Sequence, residues 1–551
     1  MSGCQECLEP ADGKAVASPL GDAAGLGDAA NPSALVDMAP PSPVRISAAD
    51  KTRPRMDRRW VTAALMLVMV LASMEQTVTS TAMPTIIGSL HGLEHYSWVA
   101  SIYLLACTVS MPLYGRLADA LGRKRVILFA IGLFALSSML AATARSMPEL
   151  IAYRGLQGLG AGGIMPVVLT ILGDIFTLEE RAQIQGLFSA VWGTSALAGP
   201  ALGWFLVVTL GWRSIFFVNL PFGLLGFLVL SKTYRDQERP RAVHLDLAAI
   251  GSLAVGCMAL LMLLSRLGPG GWPLNVSLAL AGIAALAVIF FVASERQSTH
   301  PIMPVDLLMN RSIGPSLLGS LLLGIGFLSL DTFVPLYVQG VRGGGAGSAA
   351  WVVTPVMLTW AMSGIIAAPL VVRWGFRNVS TLGSVLIVVG FSGLLVCTVL
   401  GVSKHVLAAV LAVTGLGFGP ASMSFLLSAQ NAVSWQRRGI VTSSVQFFRT
   451  IGGAMGIGIL GAVFNIITLP KLATLESSGV TPARLLDPRL RSQLSPQILR
   501  SAGRMIDGGL HWVFIGMLGV AILQLVVSRW MPRHRVDRAP TKAEMAEAMV
   551  G

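Results

Sequence analysis

Four charged side chains lie inside long apolar stretches of this chain: Glu75, Arg154, Asp331 and Arg449. An ionisable group within hydrocarbon is costly, so each marks a proton or substrate path unless a structural partner explains it. Glu75 stands about 22 Å along a helix that begins near Trp60, at 1.5 Å per residue. A carboxylate at that depth can take up and release a proton, and an arginine near it can hold it ionised or displace the proton. Arg154, in ELIAYRGLQGLGAGG, is placed for that role. Asp331, in SLDTFVPLYVQ, offers a second proton site or an attraction for cations. The two carboxylates are expected to face one central cavity. The plainer alternatives are a carboxylate in a structural pair with Arg154 or Arg449, one water-exposed near a helix end, as Asp331 near the interface would be, and an Arg449 that merely snorkels to the end of its helix.

A second constellation is GRLADALGRKR, with Gly115, Asp119, Gly122, Arg123, Lys124 and Arg125. A carboxylate beside a turn glycine and three cations can bridge to basic groups or to a helix N-terminus, latching one arrangement of the protein. It can also be an ordinary basic loop with one solvated Asp. Glycines recur at Gly155, Gly158, Gly160, Gly162 and Gly163, at Gly193, Gly199 and Gly203 around Pro200, and from Gly452 to Gly461. Small residues let membrane helices approach closely, and proline frees a backbone bond for a kink.

Other chemistries find little support. The five cysteines are scattered, and the Cys4–Cys7 pair lacks the two further ligands a metal would need. The seven histidines show no ligand spacing, and no glycine-rich loop leads into Lys-Ser or Lys-Thr, so neither a metal nor ATP is expected as a cofactor. No hydrolase-like constellation is present, and an enzyme is not expected.

These residues need a scaffold, and composition says which. Of 551 residues 54% are hydrophobic and only 12% charged, where a soluble domain carries roughly 25% charge. Such a chain cannot clothe itself for water. Fourteen apolar segments are long enough to cross about 30 Å of hydrocarbon as helices. They run 60–86, 97–118, 125–144, 149–173, 183–208, 213–231, 246–266 and 274–293, then 312–338, 348–371, 379–400, 405–430, 442–468 and 509–530. Residues 1–59 read as a disordered tail, 469–508 as a long external loop and 531–551 as a second tail. Most of the 40 Lys and Arg fall on the side holding the N-terminus, so both termini are expected in the cytoplasm. The net charge of +13 thus reads as membrane orientation, and no nucleic-acid partner is expected. PLYGRLADALGRKR and APLVVRWGFRN each end an apolar helix at a turn glycine, Gly122 or Gly375, followed by basic residues. That faint repeat makes 60–231 and 312–530 two six-helix bundles, with helices 246–293 inserted between them.

Five segments carry a resemblance. MEQTVTSTAMPTI (Met74–Ile86), GRLADALGRKR (Gly115–Arg125), RGLQGLGAGG (Arg154–Gly163), SALAGPALGW (Ser195–Trp204) and WRSIFFVNLPFG (Trp212–Gly223) occur in one order along the chain. Together they resemble the major facilitator superfamily, in its fourteen-helix drug:proton antiporter branch. The resemblance implies an all-α polytopic membrane protein of two six-helix bundles plus two inserted helices. It implies multidrug efflux across the cytoplasmic (inner) cell membrane by alternating access, driven by the proton gradient without a cofactor. It implies proton coupling at Glu75, where the family usually has Asp, with Arg154, and antiport from the Gly199–Pro200–Gly203 motif. The chain departs from the pattern at Ser195 and Trp204, and Val372 stands where a second Asp119 would map, so the latch is expected on one side only. The expected substrates are amphipathic small molecules, cations among them. A dedicated exporter of a metabolite, siderophore or lipid is the alternative within transport, and a non-transporting membrane sensor the alternative outside it. The 469–508 loop, with Arg484, Arg489, Arg491, Arg500 and Arg504, is either a solvated linker or a dock for a periplasmic adaptor.

Overall fold

A computed structural model describes residues 58–533 except 91–95, 177–179, 181–183, 185–186, 189–190, 192–194, 196–197, 200–201, 204, 237–245, 266–271, 299–302, 304, 345, 435–436 and 477–494. The N-terminal stretch with Cys4 and Cys7, the tail from 534, Pro200, Trp204, Arg484, Arg489 and Arg491 lie outside the described residues. Among the described residues the chain is helical and contains no strand. The helices are α1 (Arg58–Leu90), α2 (Tyr96–Leu121), α3 (Arg123–Thr143) and α4 (Met147–Ile175). The described part of 180–210, helical throughout, is α5. Then come α6 (Ser214–Thr233), α7 (Leu247–Ser265), α8 (Leu274–Gln297) and α9 (Gly314–Leu336), the last running into a π turn at Tyr337–Val341. One helical stretch, Ala346–Leu400, is broken at Gly375 into α10 before it and α11 after it. The last three are α12 (Lys404–Asn431), α13 (Arg438–Glu476) and α14 (Pro496–Trp530). Among the described residues, ten helices are long and apolar enough to cross a membrane.

Local chemistry sets several boundaries. Ser146 accepts a hydrogen bond from the Glu149 N–H at the start of α4, satisfying one orphan donor of the helix start, and Glu149 accepts from the N–H of Arg145, just before the cap. Gly122 (φ 95°) separates α2 from α3, and Gly375 (φ 79°) separates α10 from α11. Both occupy a backbone region that side chains with a Cβ avoid. The 469–508 loop is shorter than expected, because α13 runs on to Glu476 and α14 begins at Pro496. Ser495 caps α14 with a hydrogen bond from the Ile498 N–H. The first turns of α14 are amphipathic, burying Ala502, Gly503 and Ile506 while Arg500 and Arg504 stay on the polar side, a pattern that a search for unbroken apolar runs passes over.

The helices pack by close backbone approach. Helix α4 lies between α2 and α3, and α12 between α10 and α11. A Cβ added to Gly158 or Gly162 would collide with α2, and one on Gly160 would stand 2.6 Å from the Phe134 nitrogen of α3. In the second half, Cβ atoms on Gly415 and Gly419 would strike α10, and one on Gly417 would lie 2.5 Å from the Gly383 carbonyl oxygen of α11. The two sequences are Gly158-Leu-Gly-Ala-Gly and Gly415-Leu-Gly-Phe-Gly, so one glycine rhythm builds both halves. Helices α7 and α8 pair with each other, and α7 also touches α2 and α13. Leu278, Leu286, Ile289 and Phe290 of α8 are exposed, an outer face suited to lipid rather than water.

Candidate functional site

Glu75 and Arg154 meet. Each is 2% exposed, and an Arg154 Nη1 donates to Glu75 Oε1. Four helices converge on the pair. Thr79, one turn along α1, donates to Glu75 Oε1 at 2.9 Å, and Asn219 at the bend in α6 donates to Glu75 Oε2. Gln157, on the same face of α4 as Arg154, accepts from Arg154 at 2.7 Å and donates to Ser138 Oγ of α3 at 3.2 Å. Ser138 also accepts from Asn219 at 2.9 Å and donates to the Phe216 carbonyl at 3.0 Å. A buried ion pair persists only when its remaining lone pairs and protons are satisfied, and this network does that. Gln157, Ser138, Asn219 and Thr79 were not singled out from sequence; the usable signal was Gln157 at the i+3 position from Arg154.

Helix α2 joins the pair to open space. The Arg154 guanidinium lies 4.2 Å from the centroid of the Tyr103 ring, and its Nε donates to the Val99 carbonyl at 3.4 Å. Tyr103 in turn lines a cavity of about 220 Å³ between the two halves, walled by Met69, Phe188, Phe327, Trp360 and Gln446 among others. Arg449 lines it too, so this arginine faces the centre of the protein instead of snorkelling to a helix end. The reason is the start of α13 at Arg438, which places Arg449 about 16 Å along the axis. Neither carboxylate belongs to the cavity wall, contrary to the expected shared cavity. Glu75 stands behind Tyr103, and Asp331 is exposed on α9 one turn beyond Phe327.

The second constellation forms a junction between halves. Asp119, at the end of α2, accepts from the backbone N–H groups of Gly439 (3.0 Å) and Ile440 (2.8 Å) in the first turn of α13. Arg123 spans Asp119 and Asp174, at 3.0 Å each. Arg438 donates to the Gly173 carbonyl at 3.0 Å. Gly115 allows α13 its approach, since a Cβ there would collide with Ser443 and Gly439. Asp236, after α6, accepts from the Lys124 N–H at 3.0 Å and lies against Gly122. Burial pushes its carboxyl above the usual carboxylate range, and the Lys124 N–H pulls it part of the way back. Lys124 Nζ donates to the Ser231 carbonyl. Arg125 is exposed and joins none of these contacts in the described residues. Of the α5 motif, Gly199 and Gly203 are helical and buried.

Comparison with known proteins fits this architecture. The family model described as Major Facilitator Superfamily matches residues 65–457. The chain is 35% identical over 410 residues to the multidrug transporter protein MdtP of Bacillus subtilis, covering 74% of this chain and 75% of that protein. It is 28% identical over 512 residues to multidrug resistance protein 3 of the same organism, with coverage of 90% and 99%. Citrate exporter 1 of Yarrowia lipolytica is 26% identical over 523 residues, covering 90% of this chain and 75% of the exporter. Among solved structures, the human organic anion transporter MFSD10 superposes with a TM-score of 0.57 at 16% identity, covering 86% of this chain and all of that one.

Proposed function

The chain belongs to the major facilitator superfamily, and on that premise we propose that it exports amphipathic small molecules across the cytoplasmic membrane in exchange for protons. The observation that carries this reading is the Glu75–Arg154 pair, which shares Tyr103 with the central cavity. Both oxygens of Glu75 accept from donors, two on Oε1 and one on Oε2, so a proton arriving there weakens the hold on Arg154 by removing the charge that attracts it. Arg154 is held independently by Gln157, the Val99 carbonyl and the Tyr103 ring. Once released from Glu75 it stays in place and bears on the ring that walls the substrate space. Proton and substrate then compete through one side chain without touching each other.

Alternating access supplies the rest. The junction of Asp119 with the start of α13 is the cytoplasmic latch, closed here, and a carboxylate at a helix N-terminus is favoured by the helix dipole as well as by its two hydrogen bonds. Opening the cavity to the cytoplasm requires Asp119 to leave α13, which two halves rocking apart would accomplish. The relatives named as multidrug transporters support a broad substrate range, and the one named as a citrate exporter supports a dedicated one.

The test is proton flux in inside-out vesicles on addition of neutral, anionic and cationic amphiphiles. Wild type should release protons when a substrate is added, and Glu75→Gln at matched expression should not. Release that persists in Glu75→Gln removes Glu75 from the coupling. Silence of wild type to the whole set, with flux of one metabolite, selects the dedicated exporter.

A further inference from the structure

The central cavity carries a net charge that the proton site does not explain. Among its described lining residues Arg449 is the one formal charge, and no Asp or Glu faces it. Arg449 also lines a small adjoining pocket of about 60 Å³, together with Gln446, Ser320 and Ser422. Among the described residues it forms no ion pair. The Glu75–Arg154 pair behind Tyr103 is neutral as a unit, and Asp331 stands outside the wall.

A guanidinium in a low-dielectric space without a counter-charge is unfavourable until an anion joins it. Its planar fork matches a carboxylate, sulfonate or phosphate, and such charge-assisted bonds are among the strongest in proteins. The surroundings divide by polarity. The small pocket offers hydroxyl and amide groups around Arg449, while the larger space is walled by aromatic rings and methionines. Phe327 and Trp360 lie edge to face at 4.6 Å, and Trp360 donates to Ser422 at 3.3 Å, so the aromatic wall abuts the polar pocket. A volume of about 220 Å³ is below the ~300–1,000 Å³ of drug-sized sites and suits one fused ring system.

Resting on the export reading, we infer that the central site takes amphipathic anions, the acidic head on Arg449 and Gln446 and a flat apolar body against Tyr103, Phe327 and Trp360. This reverses the attraction for cations expected from Asp331. A cation entering the same space would meet Arg449 with nothing in the wall to offset it.

The experiment compares three ligands of one skeleton: 1-naphthalenesulfonate, 1-naphthalenemethanol and 1-naphthylmethylammonium. Each is titrated calorimetrically into the purified full-length protein in detergent. The sulfonate should bind about tenfold or more tightly than the ammonium. Arg449→Gln should erase that preference while leaving the alcohol unchanged, and Arg449→Lys should keep part of it. Asp331→Asn should leave the ranking intact. Equal or tighter binding of the ammonium to wild type overturns the inference, as does a sulfonate preference that survives Arg449→Gln. If Arg449→Gln loses the alcohol as well, the Lys variant decides: a kept preference supports the inference and a lost one refutes it. Flux of the same three ligands in proteoliposomes under a pH gradient separates the two readings. Sulfonate bound with none of the three ligands moved supports this inference and ends the reading of broad amphiphile export; ammonium moved while sulfonate is neither bound nor moved ends this inference alone.

Discussion

Helices α2–α4 and α10–α12 are built alike and equipped differently. Each set places a helix with glycines at i, i+2 and i+4 between two partners, Gly158, Gly160 and Gly162 in one and Gly415, Gly417 and Gly419 in the other. Each joins its first two helices at a glycine of positive φ, Gly122 or Gly375. Four residues before the glycine triplet, however, the first set has Arg154 and the second has Leu411, both buried. Three residues before the turn glycine, the first has Asp119 and the second Val372. Scaffold and chemistry are therefore separable: packing is held in duplicate, while the ion pair and the carboxylate that reaches across to α13 come from one half. The charged group that the second half does bring to the centre, Arg449, comes from α13, outside the repeated triplet.

The strongest way to break this comparison is to make the first half resemble the second. Arg154→Leu alone strands a buried carboxylate and should destabilise the protein by about 3–5 kcal/mol, read as a fall in the thermal unfolding midpoint in detergent. Combining Glu75→Leu with Arg154→Leu should recover most of that loss, because packed apolar groups replace a desolvated pair at little cost. The double variant should still show no substrate-driven proton release. If it regains stability and remains coupled, the proton path lies elsewhere.

Next in size is the shared scaffold. Gly160→Ala and Gly417→Ala each drive a methyl into backbone, and each should cost about 1–3 kcal/mol by overpacking, less about 1 kcal/mol of regained helix propensity. Similar losses would support structural equivalence of the halves; a harmless Gly417→Ala would refute it. The last test is the latch. Asp119→Asn keeps a hydrogen-bond acceptor but removes a buried charge at the start of α13, worth up to about 2 kcal/mol, and leaves Arg123 with Asp174 as its partner. A cysteine at Ser443, which packs against Gly115, should then label faster with a membrane-impermeant maleimide. Val372→Asn should leave that rate unchanged.

Much of the fold was legible because hydrocarbon leaves so few options for a backbone: an apolar run near 20 residues is a helix. What escaped was amphipathic, as at the start of α14, where Arg500 and Arg504 interrupt the run while Ala502 and Ile506 are buried. In the site, charge made Glu75, Arg154 and Asp119 visible. Gln157, Ser138 and Asn219 stayed hidden because neutral polar residues are ordinary in membrane helices, and no spacing along the chain says that α3, α4 and α6 meet there. Arg449 was misplaced by the position assigned to the start of α13, a few residues late. The Gly-Leu-Gly-x-Gly pair was present in the sequence all along, but its meaning depends on which neighbour each glycine faces.

The inserted pair carries a mechanical consequence. Helix α7 touches α2 of one half and α13 of the other, so under the proposed rocking it could not travel with both. It would have to slide over at least one of them. Its contact with α13 sets Leu264 against Gly458, an apolar side chain on a surface without one. Such a contact can shift by a fraction of a helical turn without breaking a directional bond. Helix α7 would then act as a bearing, its apolar contact offering little resistance to such a slide.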